Sequence, residues 1–246
     1  MIDMENNDFN ISKTTIGVVG GFGSYATLHF FKRILDNFDV EKEWERPRII
    51  IDNYCTLPSR VRCILYGEQE QEIIEGLNSS IQNLIKYDCD YIIIICNTAH
   101  YFLNQIYNKT PESKERIINL IYELTNDLVK DNVAEISLIA SEGTILSGIY
   151  HDSLEKNKIT VYTPQEDEFY KMRELIEVVK QNKPIDESVK DKFIDLLLEQ
   201  KSDNIILGCT EFPVIYEEVK DDKRISDLII YDPLDSALSR IKENTD

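Results

Sequence analysis

Residues 90–96 read Asp-Tyr-Ile-Ile-Ile-Ile-Cys, and residues 203–209 read Asp-Asn-Ile-Ile-Leu-Gly-Cys. Each stretch runs from an aspartate through apolar residues to a cysteine. Short, continuously apolar runs of this kind predict strands that are buried on both faces, as in a parallel sheet covered by helices. Any two buried strands can look alike, but the matched aspartate, isoleucine pair and cysteine favour two halves of the chain that are built alike.

A second pair of stretches repeats at a similar offset. Residues 16–24 read Ile-Gly-Val-Val-Gly-Gly-Phe-Gly-Ser, and residues 136–144 read Ile-Ser-Leu-Ile-Ala-Ser-Glu-Gly-Thr. Around both pairs, predicted strands alternate with predicted helices, which indicates an α/β fold with a mostly parallel sheet and right-handed crossovers. The predicted strands span residues 15–19, 48–52, 91–95, 135–140, 160–161, 204–207 and 228–231, and the predicted helices span residues 25–37, 69–86, 111–130, 167–181 and 187–199.

The composition excludes several classes of partner. The 246 residues are 42% hydrophobic and 29% charged, which is typical of globular domains and suffices for one large domain or two small ones. Lys and Arg number 27 against 45 Asp and Glu, so the net charge is −18. An acidic chain lacks the basic surface that nucleic acids and anionic membranes require, so we expect neither as a partner. An anionic small molecule stays compatible, because a few local cations outweigh a distant net charge.

The cysteines and the first residues predict a cytoplasmic protein. The five cysteines form no CxxC pair and no zinc-finger spacing, and their odd number does not suit a disulfide framework. Residues 1–13 are polar and contain no apolar signal segment. The longest apolar run, residues 91–96, is far too short to span a bilayer. We therefore expect a cytoplasmic chain with reduced thiols.

The first cysteine motif is Cys-Asn-Thr-Ala-His at residues 96–100, directly after a predicted buried strand. Ligands of open α/β sheets bind outside the carboxyl ends of the strands, where a thiol that faces a helix N-terminus is favoured as a thiolate. Asn97 and Thr98 add short polar side chains that suit a carboxylate. A lone cysteine is more often a small buried apolar residue, which is the role expected for Cys89. His100 either orients Cys96 or serves only the fold.

Residues 208–213, Gly-Cys-Thr-Glu-Phe-Pro, repeat this arrangement around Cys209. If the two halves face each other, the thiols of Cys96 and Cys209 flank one cleft from opposite sides, as inversion at a carbon centre requires. One thiolate would remove the Cα proton, and the other thiol would deliver a proton to the opposite face. A metal site and a disulfide redox pair are weaker alternatives, because no His or third Cys lies at ligand spacing and the expected compartment is reducing.

Residues 21–26, Gly-Phe-Gly-Ser-Tyr-Ala, allow a different interpretation. They satisfy the pattern G-x-G-x-x-G/A between a predicted strand and a predicted helix, and could cradle a dinucleotide pyrophosphate with Asp52 on the ribose. An NAD-binding oxidoreductase of this kind leaves the two matched cysteines without a role. A substrate-carboxylate role or a packing role explains the glycine turn at least as well.

Taken together, these motifs resemble the aspartate/glutamate racemase family, and within it the aspartate racemase branch. The resemblance covers nearly the whole chain, and the two cysteine motifs with their spacing are its most specific part. It is carried by residues 16–27, residues 52–53 with Pro58-Ser59-Arg60, residues 96–102, residues 142–144 with 147–150, and residues 207–211.

The resemblance implies two pseudo-symmetric, Rossmann-like domains with the active site between them. Residues 14–111 with 214–246 would form the first domain and residues 112–213 the second. The family's activity would be racemisation of an acidic amino acid, L-aspartate to D-aspartate, by a homodimer that uses neither pyridoxal phosphate nor a metal.

The resemblance also implies roles for individual residues. Cys96 and Cys209 would be the two acid/base residues, and Arg60 would pair bidentately with a substrate carboxylate. Lys180 would pair with the side-chain carboxylate, although a solvated surface charge explains it as well. The implied substrate-binding residues are Arg60, Lys180, Asn97, Thr98, Thr210, Phe22 and Asn53.

The chain departs from the family pattern around the expected cleft. Phe22 and Ser24 stand where Met and Pro are usual, and Ser59 and Val61 stand where Asp and Thr commonly flank the arginine. These departures bear on the substrate more than on the reaction, so a racemase for glutamate or another amino acid stays an alternative. A protein that binds acidic amino acids without catalysis is a further one.

Overall fold

The computed structural model describes residues 11–244, and within them strands and helices alternate as an α/β protein. The strands are β1 (Thr15–Gly20), β2 (Arg48–Asn53), β3 (Tyr91–Ile94), β4 (Ile117–Ile118), β5 (Glu135–Ala140), β6 (Thr160–Tyr162), β7 (Asn204–Gly208) and β8 (Ile229–Tyr231). The helices are α1 (Ser24–Asn37), α2 (Arg60–Tyr66), α3 (Glu70–Lys86), α4 (Leu103–Lys109), α5 (Ser113–Arg116), α6 (Leu120–Lys130), α7 (Glu142–Leu146), α8 (Ile149–Lys156), α9 (Phe169–Lys180), α10 (Glu187–Leu198), α11 (Phe212–Tyr216) and α12 (Pro233–Glu243).

The strands form two four-stranded sheets of identical topology. The strand order is β2-β1-β3-β4 in the first sheet and β6-β5-β7-β8 in the second, and all neighbours are parallel. β1 and β5 therefore occupy equivalent places, as do β3 and β7. This confirms the predicted α/β fold with two similar halves.

β3 shows why a continuously apolar strand suits this architecture. Ile92 and Ile94 pack against one core cluster that includes the apolar stripe of α3. Ile93 packs into another cluster, with apolar residues of α1 and α12. A parallel strand covered on both faces needs apolar residues at every position. β7 is buried in the same way in the core of the second half.

Strand order also fixes where a ligand would sit. In each sheet the crossovers run in opposite directions on either side of one strand pair, β1 and β3 in the first sheet and β5 and β7 in the second. Loops that leave such a pair diverge, and the crevice at their carboxyl ends is where open α/β sheets bind ligands. Both cysteine motifs follow a strand of such a pair.

The predicted strands are confirmed to within a residue or two, but the single helix predicted over residues 111–130 is confirmed only where α6 lies, and its first part is wrong. Ile117–Ile118 instead forms β4, which pairs with β3. α6 begins only after Asn119, whose side-chain oxygen accepts hydrogen bonds from the backbone N–H groups of Ile121 and Tyr122. The apolar spacing across this segment fits a helix, but pairing with β3 outweighs it.

Strand pairing also differs from the predicted domain division at two places. β4 lies within the predicted second domain but belongs to the first sheet, and β8 lies within the predicted first domain but belongs to the second sheet. α12 does return to the first half, where Leu234 and Leu238 pack in the core cluster with Ile16 and Ile34. The remainder of the division stays a prediction.

Candidate active site

The loops after β1, β3, β5 and β7 meet one another across the two halves. Gly23, after β1, lies so close to Glu211, after β7, that a Cβ atom on the glycine would stand 2.2 Å from the glutamate Oε1 atom. Gly143, after β5, lies so close to Thr98, after β3, that a Cβ atom there would stand 3.2 Å from the threonine methyl group. Each half thus presses a glycine against the loop that carries the opposite cysteine.

These contacts are equivalent under the internal repeat. Gly23 and Gly143 occupy the same place in the repeated stretches of residues 16–24 and 136–144, and Glu211 and Thr98 each stand two residues after a cysteine. The two halves therefore meet with approximate two-fold symmetry at the edge that holds both cysteine motifs.

Hydroxyl groups tie the loop after β3 to the second half. The Thr98 Oγ1 atom lies 2.7 Å from Thr144 Oγ1 and 3.1 Å from Ser141 Oγ, and Ser141 and Thr144 lie 3.1 Å apart. The Tyr150 hydroxyl donates a 2.7 Å hydrogen bond to Asn97 Oδ1. Both residues that follow Cys96 are therefore anchored by the second half.

Cys209 lies against a carboxylate. Its Sγ atom donates to Glu211 Oε2 at 3.0 Å, and the Thr210 hydroxyl donates to the same oxygen at 3.3 Å. Burial raises the pKa of the Cys209 thiol well above its ordinary value, the negative charge of Glu211 raises it further, and the positive charge of Lys180 opposes the rise. This geometry holds Cys209 as a thiol that carries its proton.

Cys96 has a neutral neighbour instead. The buried His100 bonds through Nδ1 to the Cys96 carbonyl oxygen at 3.0 Å, and its Nε2 accepts from the Leu120 N–H at 3.2 Å. Burial lowers the pKa of His100 to about 4, so the ring is neutral near pH 7 and its single proton sits on Nδ1. His100 therefore orients the backbone at Cys96. Within residues 11–244 no side chain hydrogen-bonds the Cys96 thiol, and both cysteines are free of disulfides.

The structure brings two of the implied substrate-binding residues together. Arg60, the first residue of α2, stacks its guanidinium 4.4 Å from the centre of the Phe22 ring. Its Nη1 atom donates to the Pro58 carbonyl at 2.8 Å, and in the described part of the chain Nε has no partner. Asn53, at the end of β2, donates to Ser24 Oγ at 3.0 Å and is exposed. Because its Nε has no partner in the described chain, Arg60 still has an N–H donor available beside the glycine turn that contains Phe22.

Lys180 ends α9 and lines a cavity of about 200 Å³ between the halves. Ser59 and Val61 border this cavity from the first half, and Ser141 and Arg173 from the second. Arg173, which the sequence reasoning missed, forms an ion pair with Glu142. Larger cavities of about 460 and 520 Å³ lie along α6 with α12 and along α1 with α9, and a cysteine lines neither these two cavities nor the one at Lys180.

No role was predicted from the sequence for Ser141, Thr144 or Tyr150. A signal was available, because residues 141–144 stand in the internal repeat where the first half has its glycine turn. The turn itself now has packing reasons for its glycines. Gly21 has a φ of +90°, which favours glycine, and Gly23 leaves room for Glu211. A dinucleotide is therefore not needed to explain the pattern.

In the part of the chain that the structure covers, no three His, Cys, Asp or Glu side chains converge as a metal site would require. No helix between residues 11 and 244 combines the length and apolar character needed to cross a membrane.

Comparison with known sequences gives a consistent family. Residues 19–241 match the model described as Asp/Glu/Hydantoin racemase. The chain is 24% identical over 189 residues to glutamate racemase 3 of Caldanaerobacter subterraneus subsp. tengcongensis, which covers 74% of this chain and 65% of that protein. It is 27% identical over 159 residues to the glutamate racemase of Aquifex aeolicus, covering 63% and 59%. The match thus spans less than two thirds of these curated relatives.

Comparison with solved structures agrees on the fold. Picrophilus torridus aspartate racemase superposes with a TM-score of 0.76 at 22% identity, over 94% of each chain. The glutamate racemase of Francisella tularensis subsp. tularensis SCHU S4, solved with D-glutamate, superposes with a TM-score of 0.62 at 22% identity, over 95% of this chain and 81% of that one. At these identities the likeness establishes the fold.

Proposed function

The chain belongs to the Asp/Glu/hydantoin racemase family, and on that premise we propose that it converts L-aspartate to D-aspartate without a cofactor. Cys96 and Cys209 would be the two bases. The observation that carries the proposal is the reciprocal contact in which Gly23 meets Glu211 and Gly143 meets Thr98. Such a contact supports two thiols that address one substrate from opposite sides.

The Cys209 thiol, which carries its proton, gives the reaction a starting point. A thiolate at Cys96 removes the Cα proton, so that the C–H bond breaks as an S–H bond forms. The thiol of Cys209 delivers its proton to the opposite face, and the two cysteines end with exchanged states. The Glu211 carboxylate supports this starting state, because it accepts a hydrogen bond from the Cys209 thiol. The reverse reaction starts from the exchanged state.

The carbanion that forms at Cα needs electrostatic stabilisation, because an α-proton is far too weakly acidic for an unaided thiolate. Backbone N–H groups after β3 and β7 are suitable donors. Arg60 would leave its contact with the Pro58 carbonyl to bind one carboxylate bidentately, and Lys180 would neutralise the other. Asn97, Thr98, Thr210, Phe22 and Asn53 complete the proposed binding site.

Glutamate is the second candidate substrate, because the matched curated relatives are named glutamate racemases. One methylene group separates the two acids, and a pocket discriminates that difference by about 1–3 kcal/mol. Both acids therefore have to be offered to the protein.

The test is incubation with L-aspartate, and separately with L-glutamate, in D₂O, followed by chiral chromatography and NMR at Cα. We expect D-aspartate that carries deuterium at Cα. Cys96→Ala and Cys209→Ala should lose this activity. Cys89→Ala should keep it, since Cys89 lies at the opposite end of β3 from Cys96 and burial raises its pKa to about 11.

Binding of aspartate without exchange or inversion would instead identify a binding protein, and saturable quenching or enhancement of NADH fluorescence would favour the oxidoreductase. The homodimer and the cytoplasmic location stay predictions from the sequence. Light scattering on the eluting protein tests the first of them.

A further inference from the structure

Tyr150 is a buried residue for which the proposed reaction has no role. Its side chain is completely shielded from solvent, on α8 of the second half. Its hydroxyl makes one hydrogen bond within the described chain, the 2.7 Å donation to Asn97 Oδ1 in the first half. A buried tyrosine usually satisfies its hydroxyl. Because Asn97 directly follows Cys96, this hydrogen bond bears on the candidate active site.

In the described chain, only the oxygen end of the Asn97 side chain has a hydrogen-bond partner. Its side-chain amide offers an acceptor oxygen and two N–H donors, and the residue is 3% exposed. Oδ1 accepts the hydrogen bond from the Tyr150 hydroxyl, whereas across residues 11–244 the Nδ2 atom makes no hydrogen bond. The free donor end of this amide therefore suits a ligand that brings an acceptor.

The surroundings of Tyr150 keep its hydroxyl a donor. Burial raises the pKa of Tyr150 well above its ordinary value, and the nearby charge of Asp232 raises it further. Asp232 is itself buried and ion-paired with Arg33 at 2.5 Å. A phenol that stays protonated presents its hydrogen to the amide oxygen, so the carbonyl end of Asn97 faces Tyr150 and the NH₂ end is left free.

We propose that Tyr150 is a positioning residue that fixes the side-chain amide of Asn97 so that its NH₂ group donates to a carboxylate oxygen of the substrate. The inference rests on the proposed function for the existence of that carboxylate. It assigns Asn97 to a carboxylate and not to the α-ammonium group, because an ammonium group has only donors and the available end of the amide is also a donor.

The test combines Tyr150→Phe with Asn97→Ala in a double-mutant cycle. Tyr150→Phe removes one hydroxyl and keeps the ring. The matched control is Ser153→Ala, which removes a hydroxyl from the same helix, one that lies 2.8 Å from Thr125 Oγ1 within the second half. The probe is succinate, which carries two carboxylates and no ammonium group and cannot be racemised, with binding measured by titration calorimetry.

We expect Tyr150→Phe and Asn97→Ala each to weaken succinate binding about tenfold, the size of one lost hydrogen bond to a charged group. The double variant should bind no more weakly than Asn97→Ala, because Tyr150 acts through Asn97. Tyr150→Phe should also raise KM for aspartate more than it lowers kcat. Ser153→Ala should leave succinate binding, KM and kcat unchanged.

Additive losses in the double variant, or a Tyr150→Phe protein that binds succinate like Ser153→Ala, would overturn the proposal. So would a wild-type protein that does not bind succinate. A wild-type protein that binds succinate but racemises neither aspartate nor glutamate would contradict the proposed function alone, and the binding cycle would still decide the role of Tyr150.

Discussion

The loop after β3 and the loop after β7 hold their cysteines at equivalent places in two equivalent sheets, yet the cysteines have different neighbours. Cys209 donates to the carboxylate of Glu211. Cys96 is oriented through its carbonyl oxygen by the neutral His100. Internal repetition thus explains where the thiols are, and local side chains give the two thiols different surroundings. Two halves of the same topology therefore carry their cysteines in chemically different environments.

The largest expected effect tests whether both loops are needed at all. Cys96→Ser and Cys209→Ser should each lower racemisation by roughly 10²–10⁴-fold, the usual contribution of one general acid or base. Circular dichroism should show an intact fold, because serine is nearly isosteric with cysteine. Full racemisation in both directions by either variant would contradict the need for both cysteines, since one loop would then suffice.

The next effect concerns the support beneath Cys96. His100 has a folded-state pKa of about 4, below the value near 6.5 of an exposed histidine. The unfolded chain therefore binds more protons between these values, and the folding free energy that His100 contributes is complete above pH 6.5 and is lost as pH falls towards 4. The loss should reach about 3 kcal/mol.

Denaturant unfolding at several pH values measures this loss of free energy. The loss should be absent from a variant that lacks the His100 imidazole, and the control His151→Gln should retain it. NMR of the imidazole protons gives a second measurement that needs no variant of His100. An imidazole of His100 that titrates near pH 6.5 would show that the Cys96 loop lacks the support described.

A smaller effect tests the carboxylate beneath Cys209. Glu211→Gln removes the negative charge that helps to raise the pKa of Cys209, so more thiolate should be present near neutral pH. Alkylation of Cys209 by iodoacetamide should become faster, because the thiolate is the nucleophile. Mass spectrometry follows both cysteines in the same sample, and Cys96 serves as the internal reference. Equal acceleration at both cysteines would mean that the variant loosens the site as a whole.

The smallest effect compares the equivalent glycines. Gly23→Ala would place a Cβ atom 2.2 Å from Glu211 Oε1, so the carboxylate must move, which disturbs its hydrogen bond with Cys209. Alkylation of Cys209 should therefore change in the same direction as in Glu211→Gln, but by less. Gly143→Ala, which meets Thr98 and the backbone of Val61, should leave Cys209 alkylation unchanged. A change in Cys209 alkylation in Gly143→Ala but not in Gly23→Ala would mean that Gly143, and not Gly23, is the glycine that contacts Glu211.

The two strands that end at the cysteines could be predicted from the sequence, because a strand and its end are local features of the chain. The apolar runs before Cys96 and Cys209 predicted β3 and β7, and the repeat predicted two similar halves. β4 was missed, because two residues that pair with a distant strand leave no periodicity of their own. The capping side chain of Asn119 was the local signal that α6 starts later than predicted.

The contacts between the halves were beyond the sequence for a physical reason. That Glu211 faces Gly23, or that Tyr150 reaches Asn97, depends on how two separately built sheets pack, which spacing along the chain does not encode. The resemblance to the racemase family pointed to the loops after β3 and β7. Only the packing of the two halves shows which side chains contact each other there.

The most direct measurement of the two-base claim is the position of deuterium during the first turnovers of L-aspartate in D₂O. Two sulfur bases on opposite faces should place deuterium in the D-aspartate that forms, while the L-aspartate that remains keeps its Cα hydrogen. Deuterium that enters the remaining L-aspartate as fast as the product would mean that a single base serves both faces, and the division of labour between Cys96 and Cys209 would be wrong.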